Sequence, residues 1–396
     1  MTSMLASNPT IREARSFLRR HQSLSILISV GIIAALLPIV ATVPPFSGFG
    51  NQRDFVGGFA DAGVFVLLAL GLNVVVGLAG LLDLGYAAFF AIGAYTFAYS
   101  ASGYTGLDVP FWPMLLVGAF VAAMFGILLG APTLRLRGDY LAIVTLGFGE
   151  IVPVVFLNAS AFTNGTNGIT GISQPNLYGL FGIHGFGFTN PWLYYFTVFG
   201  IIMLTTMILY RLQDSRIGRA WVAIREDELA AASMGINTVT TKLLAFAIGA
   251  STSGLAGVFY ASKLATVTPD QFGFTVSFTA LSMVVLGGMG NIWGVSVGAF
   301  VIYEIQSQGL KQLNNLVQTA RLPTLHLGPV TIDWATINFL NYQYLLYGLA
   351  LVLMMLLRPE GLFPSRRRRE ELHEVDIEPS EIEPSEIGPG ALGGEP

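Results

Sequence analysis

Charged residues are missing from long stretches of this chain. Windows without a single Asp, Glu, Lys or Arg run 24–52, 62–82, 84–107, 109–134, 151–210, 243–262, 271–303 and 334–357. A helix needs about 20 apolar residues to cross the ~30 Å hydrocarbon core of a bilayer. Most windows therefore hold one crossing, and the longer ones hold more than one or a crossing plus a loop. Runs of this length without alternation do not suit an outer-membrane barrel, whose strands need only ~10 residues each. The pattern predicts an all-α, polytopic integral membrane protein with about ten transmembrane helices. They fall near 24–43, 56–77, 85–100, 111–131, 140–157, 191–210, 243–262, 274–288, 294–310 and 339–357. Pro38 and Pro44-Pro45 fit a cleaved signal peptide poorly, so the first window is read as a membrane helix.

Composition agrees: 53% of residues are hydrophobic and 11% charged, against roughly 25% charged in soluble domains. Alternating sides along the ten crossings puts sixteen Lys and Arg on one face and four (Arg53, Lys263, Lys311, Arg321) on the other. The positive-inside rule then places both termini and the 211–242 loop in the cytoplasm. Three regions are expected: a basic N-terminus over 1–23, a permease domain over 24–363, and a tail over 364–396. Arg366 to Arg369 form a basic stop suited to anionic membrane lipid. The tandem Glu-Pro-Ser-Glu-Ile units at 378–387 and the Gly- and Pro-rich end predict a disordered acidic tail.

The 211–242 loop is a charged island, RLQDSRIGRAWVAIREDELAAASMGINTVTTK. Glu226, Asp227 and Glu228 precede an Ala run, where acidic groups suit a helix N-terminus. Gly235, followed by Asn237, offers a stop. A short, capped helix lying across the membrane face is expected, with Arg216, Arg219 and Arg225 adding a mixed-charge docking face. None of the three lysines follows a glycine, so the chain has no Gly-Lys-Ser/Thr phosphate loop and ATP-driven work has to come from another chain. There is no cysteine, and the four histidines are scattered. No enzyme activity, cofactor, metal or nucleic-acid partner is expected.

Within the apolar windows, Glu150 stands out beside Gly147, Gly149 and Pro153. A carboxylate near the bilayer midplane needs a partner or water, so it either lines a pathway through a locally opened helix or makes a structural hydrogen bond. Asn73 carries the same two readings. The extracytoplasmic loop 158–190, with Asn164, Thr166 and Asn167, reads as an outer gate, a docking surface or a packed cap. Gly126–Gly130 and Gly294–Gly298 have the spacing that lets helix backbones approach.

Several motifs occur in one order. They are Gly71-Leu72-Asn73 with Gly77-Leu-Ala-Gly80, Leu84-Gly85-Tyr-Ala-Ala-Phe-Phe-Ala-Ile-Gly93-Ala94-Tyr95, and Leu136-Arg137-Gly138-Asp139-Tyr140. Thr163-Asn-Gly-Thr-Asn-Gly168-Ile169, Gly218-Arg219-Ala220 through Gly235-Ile236-Asn237, Leu286-Gly287-Gly288-Met289-Gly290 and Arg358-Pro359-Glu360-Gly361-Leu362-Phe363 follow. Spanning about 60–363, this series resembles the ABC importer permeases of the high-affinity branched-chain amino-acid family, LivM-type half. Permeases of urea and short-chain amide importers are close relatives.

The resemblance implies a bacterial inner-membrane subunit forming half of a solute pathway. Its implied partners are a second homologous permease, two cytoplasmic ATPase subunits and an extracytoplasmic solute-binding protein. It also implies that Arg219, Arg225, Glu226, Asp227, Glu228 and Gly235 belong to the ATPase-coupling region. Asn73, Asp83, Glu150, Asn164, Thr166 and Asn167 are the pathway candidates. Asp83 departs from the pattern, which favours a small polar residue there. The rival readings are an ATP-independent channel or carrier and a membrane scaffold that only recruits partners.

Overall fold

The computed structural model describes residues 31, 35–38, 52–133, 139–176, 186, 190–319, 325–327, 330–332, 339–358 and 361–363. The basic N-terminus, most of the first expected crossing and the tail from 364 lie outside the described residues, as do parts of the 158–190 loop. The first half of the bundle is α1 (Gln52–Leu72), α2 (Ala87–Ala101), α3 (Phe111–Thr133), α4 (Asp139–Asn158) and α5 (Pro191–Gln213). Then come α6 (Arg216–Glu226), α7 (Glu228–Ser233), α8 (Thr238–Leu264), α9 (Phe274–Gly287), α10 (Ile292–Glu304), α11 (Leu310–Thr319) and α12 (Gln343–Leu357). Helix α1 continues as a π-turn over Asn73–Leu78, and α10 as another over Ile305–Gly309.

Five helical runs among the described residues are long and apolar enough to cross a membrane: Arg53–Leu78, Phe111–Thr133, Tyr140–Asn158, Pro191–Gln213 and Thr238–Leu264. Helices α2, α9 and α12 also fall where crossings were expected, but have only 14 or 15 residues, while α10 runs on through its π-turn into α11. For α2 and α9 the reason is visible. The connector 79–86 before α2 is not helical, and it folds against the middle of α4. A Cβ on Gly85 would lie 2.0 Å from the Thr145 carbonyl oxygen, so only a bare backbone fits. The two short helices meet at their N-termini, where the Ala87 amide donates to Ser277 Oγ at 2.8 Å.

Helix α8 is the centre of the assembly, packing against α1, α2 and α3. Small residues along it (Gly249, Ala250, Ser253, Gly254, Ala256, Gly257) are buried or nearly so and bring the backbones together. A Cβ on Gly93 of α2 would stand 2.5 Å from the Gly254 carbonyl oxygen, and one on Gly126 of α3 would stand 2.7 Å from Ala250 Cβ. Gly298 is packed equally tightly onto Gly287 Cα. The two expected glycine pairs thus serve packing, through Gly126 and Gly298. In hydrocarbon, where apolar burial gives no drive between helices, this close contact supplies the adhesion.

At one end of α8, β2 (Thr266–Val267) pairs antiparallel with β1 (Ile169–Thr170) of the long loop. There Lys263 pairs with Asp61 of α1 and donates to the Gly57 carbonyl at 2.7 Å. The opposite end carries α6 and α7. A small hairpin, β3 (Leu325–Leu327) with β4 (Val330–Ile332), completes the described structure.

Gly93→Val should wedge α2 from α8. We expect a loss of about 1–3 kcal/mol, read as a lower melting temperature of the detergent-purified protein. Gly200→Ala, where a Cβ meets nothing, should leave that temperature unchanged.

Candidate functional site

Three polar side chains divide the 211–242 island. Ser215 accepts from the Ile217 and Gly218 amides and starts α6. Asp227 accepts from Leu229 and Ala230 and starts α7, and Asn237 accepts from Thr240 and starts α8. Each satisfies amides that a helix start leaves open. The expected single helix is therefore two. Asp227 adopts an extended backbone (φ −152°, ψ 110°), which breaks the run after Glu226. The stop at Gly235 holds, with φ at +85°.

The module is fastened to the bundle at three points, two on α8 and one at the end of α1. Trp221, fully buried, donates from Nε1 to the Thr241 carbonyl at 2.8 Å, joining α6 to α8. Glu228 pairs with Lys242 Nζ at 2.6 Å, joining α7 to α8. Arg225 reaches across to α1, where its Nη1 donates to the Gly77 carbonyl at 2.7 Å. That carbonyl sits at the end of the α1 π-turn, where the helix dipole favours a cation. Gly80 makes room: it adopts φ +70°, and a Cβ on it would lie 2.7 Å from Arg225 Cγ.

The turn between α9 and α10 joins the same knot. The Gly290 amide donates to Asn73 Oδ1 at 2.8 Å, and Gln213 Nε2 donates to the Gly290 carbonyl at 3.4 Å. Gly361 and Phe363 lie against this turn, with the Leu362 and Phe363 amides donating to Leu286 and Gly287 carbonyls. Hydrogen bonds thus connect α6 directly to α8 and α1, and through Asn73 to the α9–α10 turn.

The outward side of the module mixes charge with apolar knobs. Arg219, Glu226, Asp227 and Gly235 are exposed, as are Leu229 (67%) and Met234 (84%). The sequence reading missed Leu229 and Met234. Nothing local set them apart from the other large apolar residues of the loop, such as Ile217, Trp221, Val222 and Ile224. Arg225, expected on the docking face, and Glu228, expected in the ATPase-coupling region, both bond toward the bundle and hold the module in place.

Comparison with known proteins decides the family. The profile described as "Branched-chain amino acid transport system / permease component" matches residues 55–355. The high-affinity branched-chain amino acid transport system permease protein LivM of Salmonella typhimurium is 40% identical over 326 residues, covering 78% of this chain and 70% of that protein. LivM of Escherichia coli K12 gives the same figures. LivH of E. coli K12 is 26% identical over 262 residues, 63% of this chain and 83% of LivH. No solved structure matches.

The chain belongs to the branched-chain amino acid permease family. It is a multi-pass helical membrane protein and a transport permease.

Within this permease, the pathway candidates are scattered. Asn73 is fully buried in the knot described above, so it bonds between elements. Asp83 is 1% exposed rather than solvated, and its Oδ1 accepts from the Gly85 amide at 2.9 Å. Asn164, in a left-handed conformation, donates to the Gly168 carbonyl and shapes the far-end loop on which Thr166 and Asn167 are exposed. These three lie at the end opposite the module. Glu150 is exposed on α4, and its Oε1 accepts from the Phe274 amide at 3.2 Å at the start of α9. Of its two readings, the structure shows a hydrogen bond and no local opening: α4 runs unbroken through Gly147, Gly149 and Pro153, with Gly149 packed against Gly85.

The ion pair of the module gives a stability test. Lys242 is 8% exposed at its side chain and Glu228 32%. Glu228→Ala should strand a buried ammonium and cost about 3–5 kcal/mol. The double variant Glu228→Gln/Lys242→Met should recover most of that loss in the same thermal melt.

Proposed function

We propose that this permease imports branched-chain amino acids across a bacterial inner membrane, as half of a pathway driven by separate ATPase subunits. One observation carries the mechanical part: an exposed Leu229–Met234 face on a module that Arg225 and Glu228 lock to the bundle. The relatives named for branched-chain amino acid transport support the substrate. The chain has no phosphate loop of its own. In this reading Glu226, Asp227, Leu229, Met234 and Gly235 seat an ATPase subunit on the cytoplasmic side. Its closure pushes α6, and Arg225 passes the push to the end of α1 and to the α9–α10 turn.

The remaining parts of the reading come from charge and resemblance. The distribution of Lys and Arg supports about ten crossings, with both termini in the cytoplasm. The basic stop and acidic tail flank the permease domain on that side. A second homologous permease and an extracytoplasmic binding protein complete the importer, and the far-end loop with Asn164, Thr166 and Asn167 faces that protein.

The test is capture of the tagged chain from native membranes in mild detergent, with mass spectrometry of what accompanies it. ATPase subunits and a second permease are expected. Leu229→Asp/Met234→Asp should lose the ATPase subunits and keep the permease partner. Arg225→Ala should keep all subunits but lower leucine uptake by about tenfold, since truncating one partner of a charge-assisted bond costs about 1.5–3 kcal/mol. Recovery of the chain alone, under conditions that preserve other importers, would favour a channel or carrier.

A further inference from the structure

Helix α4 presents one continuous exposed stripe. Tyr140, Ile143, Gly147, Glu150, Val154 and Leu157 follow one another at steps of three and four residues, and all are exposed. The opposite side is occupied, with Leu141, Ala142 and Thr145 buried and Gly149 against Gly85. Steps of three and four mark a seam that packs against another helix. A purely apolar stripe would equally suit lipid. This one does not, for two reasons.

First, it carries a carboxylate at mid-height. Glu150 is the twelfth of the 20 residues of α4, about 16 Å along at 1.5 Å per residue, near the middle of a ~30 Å core. A charge there is costly unless it faces protein or water. Among the described residues the Phe274 amide hydrogen-bonds it, through Oε1, and none hydrogen-bonds the other oxygen or pairs with it as a cation. Second, Gly147, one turn earlier, has nothing within 4 Å of where a Cβ would stand. The stripe therefore has a gap directly beside its only charge. Phe274 and Thr275, at the start of α9, are exposed next to it.

A covering partner is at hand in the relatives. E. coli K12 has two permease proteins named for one transport system, LivM and LivH, and both are similar to this chain. We propose that the α4 stripe faces a second, homologous permease, and that Glu150 stands on the solute path between the two and holds the ammonium group of a zwitterionic solute. This rests on the importer reading and specifies its solute. The Phe274 amide fixes one carboxylate oxygen, so the other is presented without rotamer search. An uncharged solute such as urea or an amide has no ammonium to offer, and the same carboxylate selects against it.

The chain has no cysteine, so Glu150→Cys adds the single thiol of this subunit. The experiment uses the whole importer, captured with its subunits and reconstituted with its binding protein. A cationic, membrane-impermeant methanethiosulfonate should label Glu150→Cys about tenfold faster than Leu204→Cys on the exposed side of α5. A photoreactive residue at Val154 should capture the second permease. Glu150→Gln should keep the subunits together and reduce leucine uptake about tenfold or more, with Glu150→Asp retaining part of it.

If the subunits co-purify but Glu150→Cys reacts only with a lipid-soluble maleimide, and Val154 captures only lipid, the proposal falls and the importer reading stands. If no subunits co-purify, the importer reading falls with it.

Discussion

The close approach of backbones around α8 is the constraint on which the rest of the molecule depends. Lipid gives no hydrophobic drive for helices to associate, so contact quality has to do the work. Gly249, Gly254 and Gly257 on α8 meet Gly71, Gly93, Gly118 and the Phe90 carbonyl at distances that exclude any side chain. Because the backbones touch, α8 cannot slide against α1, α2 or α3 without lifting away from all three. It is a rigid post, and the polar groups at its two ends keep their positions relative to one another.

That rigidity gives the 215–237 module its meaning. Trp221 and the Glu228–Lys242 pair attach it to the base of the post. Arg225 attaches it to the π-turn that ends α1. A π-turn is a local irregularity often found at functional sites, and here it offers a carbonyl that an arginine can grasp. Asn73, inside the same turn, holds the Gly290 amide, so the α9–α10 turn is gripped as well. Motion applied to α6 reaches elements that begin or end inside the bundle, where α2 and α9 meet through Ala87 and Ser277.

Much of this was legible before any coordinates. The charge-free windows located the five long apolar helices of the described residues, and the acidic triplet and Gly235 located a helix start and stop, because both signals are local. Asp227 split the island because its side chain competes for the amides that follow it, a choice between neighbouring carboxylates that pattern alone leaves open. The inward turn of Arg225 was invisible, since its partner Gly77 lies 148 positions away. Glu150 was recognised as anomalous by depth and charge, yet its hydrogen bond to Phe274, 124 positions away, depends on how the 265–273 segment leads from α8 into α9. Nothing in the sequence shows that the connector 79–86 folds into the bundle. Gly85 and Gly149, which draw it into the bundle, are ordinary glycines until their contacts are known.

The central claim is that force enters at α6 and α7 from a separate ATPase and moves solute uphill. The most direct measurement is leucine accumulation in proteoliposomes holding the purified complex and its binding protein, with ATP supplied on the side that carries the ATPase subunits. The account predicts accumulation above the external concentration only when ATP is present. Leucine flux at an equal rate from this chain alone, without ATPase subunits or ATP, would contradict it.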